Sequence, residues 1–202
     1  MKKILIILTI LFALLYSVRY YCYNYFQFWT HLKTEKFETL REYNGENIKA
    51  LMGRQILVHK DFIPLLIAID NYAKNNNLVL TINQSYRYNG QNIRRSIVKP
   101  AKFSNHLVGF AIDFNVEDDN RKYFSNDLKR SNLGKLPISV QNFINEIRKN
   151  KKLRWGGDFN REDPIHIDTP INKNKKKWSN YMQLCDKDFS KGVPKWKIWK
   201  NE

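Results

Sequence analysis

Of the four histidines in the chain, two stand among residues that can do chemistry with them. His106 lies in Ser104-Asn105-His106-Leu107-Val108-Gly109-Phe110-Ala111-Ile112-Asp113, and His166 in Asp163-Pro164-Ile165-His166-Ile167-Asp168. Two imidazoles and one carboxylate form a three-ligand set that can hold Zn²⁺ and leave a fourth position for water. Fully extended, the seven residues from His106 to Asp113 would span about 23 Å, and the odd spacing would point the two side chains to opposite faces. For both to reach one ion the chain must turn between them, and Gly109 supplies the backbone freedom for that turn. Asp113 then falls inside an apolar stretch, Phe110-Ala111-Ile112 and Phe114, where an unpaired carboxylate is costly and a metal would offset the cost. His31 and His59 lack such neighbours and read as surface or packing residues.

Asp163 precedes His166 by three residues, which in a straight strand would place the two on opposite faces. Pro164 removes a ladder donor and bends the path, so Asp163 can approach a water at the same metal without being a ligand. A carboxylate there can take a proton from the attacking water and hand it to a leaving amine. Arg87, in Gln84-Ser85-Tyr86-Arg87 after an apolar run, is a candidate to stabilise an oxyanion or a substrate carboxylate. Its other reading is a surface salt bridge.

The elements that must position these groups follow from periodicity. Asp61 can cap a helix with Phe62, Leu65, Leu66, Ile69 and Tyr72 on one face, ended by Asn75-Asn76-Asn77. Residues 78–82 read as a buried strand, 110–116 as a second, and 154–155 and 165–167 as short strands separated by Gly156-Gly157. Val140, Phe143, Ile144 and Ile147 repeat a helical pattern over 139–151. Residues 30–50 read as a polar, helix-prone lead-in with a turn at Asn44-Gly45. Helices and strands mix without regular βαβ alternation, which favours an α+β fold.

Composition places these elements in context. The 202 residues are 43% hydrophobic and 14% aromatic, which excludes a disordered polyelectrolyte despite a formal charge of +16. Two cysteines exclude a disulfide-stapled scaffold and an all-cysteine zinc site. Cys22 and Cys185 can pair in an oxidising compartment or remain separate thiols. Met1-Lys2-Lys3 is followed by an apolar run over residues 4–18, the pattern of an export signal. At ~1.5 Å per residue that run covers roughly 22 Å, short of the ~30 Å hydrocarbon core. Tyr20, Tyr21, Tyr23, Tyr25, Phe26, Phe28 and Trp29 then suit a membrane interface, and no small-residue cleavage site is evident. The segment reads as an uncleaved signal anchor or a cleaved signal peptide, and in either case the domain is exported. From residue 173 to the end there are nine Lys, three acids and three Trp. That stretch reads as an adhesive segment for anionic wall polymers or lipid headgroups, or as a solvated basic surface whose tryptophans pack back on the domain. The expected organisation is an N-terminal segment at 1–29, a catalytic domain at 30–185 and a basic tail at 186–202.

Residues 104–113 resemble the S-x-H-x-x-G-x-A-x-D motif of the zinc peptidases that include D-alanyl-D-alanine carboxypeptidases and L-alanyl-D-glutamate endopeptidases; all five fixed positions match. Trp155-Gly156-Gly157-Asp158-Phe159 with Asp163-Pro164-Ile165-His166 is similar to the W-G-G-D-[WF]…D-P-x-H end of the L-alanyl-D-glutamate branch; the carboxypeptidase branch usually has Glu at the position of Asp163. Ser85-Tyr86-Arg87 resembles the family's S-x-R segment, with Gln91 near the place of a following Gln. The resemblance covers roughly residues 50–170. It implies a Hedgehog/DD-peptidase-like α+β fold, a small antiparallel sheet flanked by helices, here preceded by an N-terminal hydrophobic helix. It further implies one Zn²⁺ per chain held by His106, Asp113 and His166, with Asp163 as base, Arg87 as substrate stabiliser, and Arg87 and Ser104 in contact with substrate. The expected activity is hydrolysis of peptide bonds in peptidoglycan stem peptides. The alternative is a catalytically inactive zinc-containing binding module at the cell envelope, since Hedgehog signalling domains share this scaffold. Nucleic acid is not an expected partner of an exported chain without a recognised nucleic-acid fold.

Overall fold

The computed structural model describes residues 2–24, 31–91, 93, 98 and 101–192. Helix α1 spans Lys2–Asn24, and its side chains described over 2–17 are exposed. Among the described residues no helix is long and apolar enough to cross a membrane. Tyr25, Phe26, Phe28 and Trp29, and the side chains of Tyr20, Tyr21, Cys22 and Tyr23, lie outside the described residues, as do Trp196 and Trp199.

The lead-in is not helical. It forms the short strands β1 (Leu40–Glu42) and β2 (Ile48–Ala50). β1 pairs antiparallel with β3 (Leu57–His59), and β2 pairs parallel with β4 (Val79–Gln84). Tertiary partners override the local propensity here. Leu40 is buried, and the amides of Glu38, Thr39 and Leu40 all donate to the Asp188 carboxylate. Asp70 does the same service next to β2, accepting from Tyr43 Oη, Glu46 N and Asn47 N.

Helix α2 (Ile63–Asn75) has Pro in its first turn, where a missing N–H costs nothing. Asp61 is not its cap. His59 Nδ1 accepts from Asp61 N and starts a 3₁₀ turn over Lys60–Phe62 that feeds the helix. Leu66, Ile69 and Ala73 are buried, and left-handed Asn77 (φ 52°) ends the segment. Helix α3 (Ile138–Lys149) buries Val140, Phe143, Ile144 and Ile147, the face its periodicity indicates.

β5 (Ala111–Glu117) is the axis of the sheet. It pairs antiparallel with β4 on one side and with β6 (Lys122–Tyr123) and β8 (His166–Asp168) on the other, while β7 (Arg154–Trp155) adds to β8. The order β2-β4-β5-β8-β7 is antiparallel apart from the β2–β4 pair. The architecture is therefore the expected α+β one. Ile112, Phe114 and Val116 of β5 share one core with Phe62 of the preceding 3₁₀ turn, Leu66 and Ile69 of α2, and Phe143 and Ile144 of α3.

Helix α4 (Lys175–Gly192) closes the molecule over a second core of Leu32, Phe37, Leu40, Leu57, Tyr86, Cys185 and Phe189. Residue 185, expected to end the domain, lies inside this helix, and Asp188 and Phe189 beyond it are buried. Trp178 packs edge-on against Phe103 at 5.1 Å, and its Nε1 donates to Ser104 O. Cys185 forms no disulfide among the described residues; it is buried with Sγ 3.7 Å from Val108 O, and burial pushes its pKa up to about 12.

Candidate metal centre

His106 and Asp113 are brought together by the turn that their spacing demands. A 3₁₀ turn over Asn105–Val108 carries His106, and Gly109 ends it with φ +70° before β5 begins at Ala111. A Cβ at Gly109 would stand 2.5 Å from His59 N, so the close approach as well as the dihedral needs glycine. His166 arrives from the neighbouring strand, since Asp113 and His166 are register partners in the β5–β8 pair. Ahead of it, residues 163–166 form a turn in which His166 N donates to Asp163 O. Trp155 Nε1 donates to Pro164 O, and Gly156 leaves room for the Asp163 carbonyl, which a Cβ would approach to 2.2 Å. Asp158 fixes the same loop through a two-pronged pair with Arg148.

Three ligand atoms converge. His106 Nε2 lies 3.1 Å from Asp113 Oδ1 and 3.2 Å from His166 Nδ1, and His166 Nδ1 lies 2.9 Å from Asp113 Oδ1. Tetrahedral zinc at ~2.0–2.1 Å from each ligand separates neighbouring ligand atoms by about 3.3 Å, so the triangle fits that ion closely. The outer nitrogens fix the donor chemistry. His106 Nδ1 is 2.8 Å from Ser85 O, and a carbonyl only accepts, so Nδ1 carries the proton and Nε2 presents its lone pair inward. His166 Nε2 faces Asp168 Oδ2 at 3.4 Å. The inward atoms are thus two imidazole nitrogens and a carboxylate oxygen, a set that can hold a cation. Burial disfavours charge on His166, but Asp113 and Asp168 outweigh it and raise its pKa to about 10. Burial also works against the Asp113 carboxylate, yet the two histidines hold it well below the usual range. A metal at this set would compete with the proton on His166, so its affinity would weaken as pH falls.

Asp163 is half-buried, and its carboxylate makes no hydrogen bond or ion pair among the described residues. Burial first, then the Asp113 charge, raises its pKa, while His166 and His106 pull the other way. Arg87 is 6% exposed and follows directly from strand β4 and the Ser85 turn. It forms no ion pair among the described residues, so the surface salt bridge is not what is found. Burial lowers its pKa, and the Asp113 charge partly restores it. Ser104 is half-buried immediately before the His106 turn; its hydroxyl makes no hydrogen bond among the described residues. His31 and His59 stand apart from this cluster, His31 at Gly53 O and His59 stacked between Phe110 and Tyr181.

Three further residues border the site without having been singled out by sequence. Asp168, Arg154 and Asn105 form a buried network behind His166. Asp168 was within reach of strand periodicity, because residues two apart in a strand share a face. Arg154 was not, since its proximity depends on the β7–β8 register.

Residues 98–169 match the model of the D-alanyl-D-alanine carboxypeptidase family. That span contains both histidine motifs, and the family resemblance carried by those motifs holds. No curated protein matches the chain. Among solved structures, the crystal structure of Serratia marcescens L-Ala D-Glu endopeptidase ChiX is similar at 16% identity over 57% of this chain and 83% of that chain, with a TM-score of 0.35.

Proposed function

We propose that this chain, with the D-alanyl-D-alanine carboxypeptidase pattern over residues 98–169, is an exported zinc peptidase that hydrolyses peptide bonds in peptidoglycan stem peptides. The observation that carries the reading is the triangle of His106 Nε2, Asp113 Oδ1 and His166 Nδ1. Asp163, its pKa raised, and Arg87, buried and without an ion pair among the described residues, support it.

His106, Asp113 and His166 would hold the ion, which when bound supplies Lewis acidity toward a water and a scissile carbonyl. Asp163 accepts the proton of the attacking water as the new C–O bond forms. It then delivers that proton to the amine nitrogen as the C–N bond breaks, which balances the hydrolysis. Arg87 donates hydrogen bonds to the carbonyl oxygen as it gains charge, or to a carboxylate of the substrate. Ser104, beside the His106 turn and with a hydroxyl that makes no hydrogen bond among the described residues, is assigned to substrate contact. Aspartate rather than glutamate at 163 favours an L-alanyl-D-glutamate endopeptidase over a D-alanyl-D-alanine carboxypeptidase. Export rests on the basic start and apolar run of α1, and the exposed Lys175, Lys176 and Lys177 suit contact with anionic wall polymers or lipid headgroups.

Incubation of the zinc-loaded protein with intact muropeptides, read by mass spectrometry, tests the activity and identifies the bond cut. Cleavage is expected, lost on chelation and restored by zinc. Asp163→Ala is expected to retain zinc while turnover drops by about 10²–10⁴-fold. A zinc-loaded protein that cleaves no muropeptide would overturn the reading and leave a binding module on the same scaffold.

A further inference from the structure

Behind the ligand triangle lies a second charged constellation with no part in the steps above. Asp168 is 3% exposed, yet its carboxylate is saturated with donors. Arg154 approaches in bidentate fashion, Nε to Oδ1 at 2.8 Å and Nη2 to Oδ2 at 2.7 Å, and Asn105 Nδ2 adds a third contact to Oδ2 at 2.7 Å. The same Oδ2 lies 3.4 Å from His166 Nε2, the ring nitrogen turned away from the ligand triangle.

The placement follows from register. His166 and Asp168 are alternate residues of β8 and share a face, and Arg154 is the cross-strand partner of Asp168. Asn105 is the chain neighbour of the other histidine, and its Oδ1 accepts from Asn172 N, which fixes its amide orientation. One buried carboxylate is therefore tied to the residue beside His106 and to the imidazole of His166. For His166 to offer an Nδ1 lone pair its proton must sit on Nε2, and an anion facing Nε2 selects that tautomer. Carboxylates behind metal-bound histidines act in this way on both orientation and basicity.

We infer that Asp168 is a positioning residue for the metal centre, holding His166 in the tautomer and orientation that present Nδ1 to the ion, with Arg154 and Asn105 holding Asp168. The inference rests on the metal-centre reading. Its test is zinc affinity, measured by competition with a chromophoric chelator, on wild type, Asp168→Asn and Arg154→Met, with circular dichroism confirming the fold of each. Asp168→Asn is expected to bind zinc ten- to a hundred-fold more weakly. Arg154→Met breaks the same ion pair but leaves the carboxylate facing His166, and is expected to lose less than about threefold by that argument. Unchanged affinity in Asp168→Asn, or equal losses in the two variants, overturns the inference and leaves the metal reading intact; equal losses would mean that the pair acts through packing alone. Should Asp168→Asn fail to fold, Asn105→Ala replaces it. It removes one anchor of the carboxylate and is expected to lose roughly three- to tenfold, and no loss overturns the inference. A folded wild type that binds no zinc overturns both readings.

Discussion

Asp163 and Arg87 have opposite histories in this molecule. For Asp163, the bend that Pro164 puts before His166 was readable, and the turn with its His166 N to Asp163 O bond is in place. Arg87 was ambiguous in sequence, and its burial without an ion pair among the described residues removes the surface salt-bridge reading. The environment of Asp163 makes a specific claim about pH. Its pKa is raised, by burial first and by Asp113 next. The proposed base works only when deprotonated, so kcat/KM is expected to fall as this carboxyl takes up a proton. The acid limb is therefore assigned to Asp163, and the residual activity of Asp163→Asn is expected to lack it. A limb that persists in that variant would assign the titration to another group.

At the scale of elements, the turn between His106 and Asp113 and the buried face of α3 were legible, because seven-residue spacing and 3.6-residue periodicity each leave few solutions. β1 and β2 were not, since they exist through pairing with β3 and β4 and through amides captured by Asp188 and Asp70. Helix α4 was obscured by its lysines. Trp178, Tyr181, Met182, Cys185 and Phe189 recur at helical spacing and face the domain. Asp188 makes this helix more than a cover. Burial opposes its ionisation, but Thr39 Oγ1 and the amides of Glu38, Thr39 and Leu40 lower its pKa. Asp188→Ala strands these donors in a buried setting and is expected to cost about 3 kcal/mol or more. Asp186→Ala, which loses the part-buried bond from Tyr86 Oη, is expected to cost about 1 kcal/mol. Urea unfolding midpoints check both, and equal effects would refute the assigned role of Asp188.

Across the whole molecule, stability should depend on pH through His59. The side chain is 1% exposed, with its ring 4.7 Å from Phe110 and 4.4 Å from Tyr181. Nδ1 accepts from Asp61 N, and Nε2 has no partner among the described residues. Burial is the main cause that brings its pKa down to about 4. Between pH ~6.5 and about 4 the unfolded chain takes up a proton that the folded protein refuses. The stability tied to the neutral ring is therefore complete above ~6.5 and declines toward 4, by about 3 kcal/mol in all. Unfolding midpoints at pH 7 and 4.5 are expected to differ less in His59→Phe, which keeps an aromatic ring in the stack. An unchanged difference would place the dependence elsewhere.

Sequence by itself determined the types of donor available and the need for a turn if His106 and Asp113 are to meet, because donor chemistry and chain reach are local properties. It also determined the α+β class, since residue periodicity reports which faces must be buried. Only the tertiary structure decided that His106 Nε2, Asp113 Oδ1 and His166 Nδ1 meet within 3.2 Å of one another. It also decided that Arg87 is buried without an ion pair among the described residues, and that Asp168 joins Arg154 and Asn105 behind His166. Each of these depends on strand register and on contacts between residues tens of positions apart, and no local pattern encodes which strand will lie beside which.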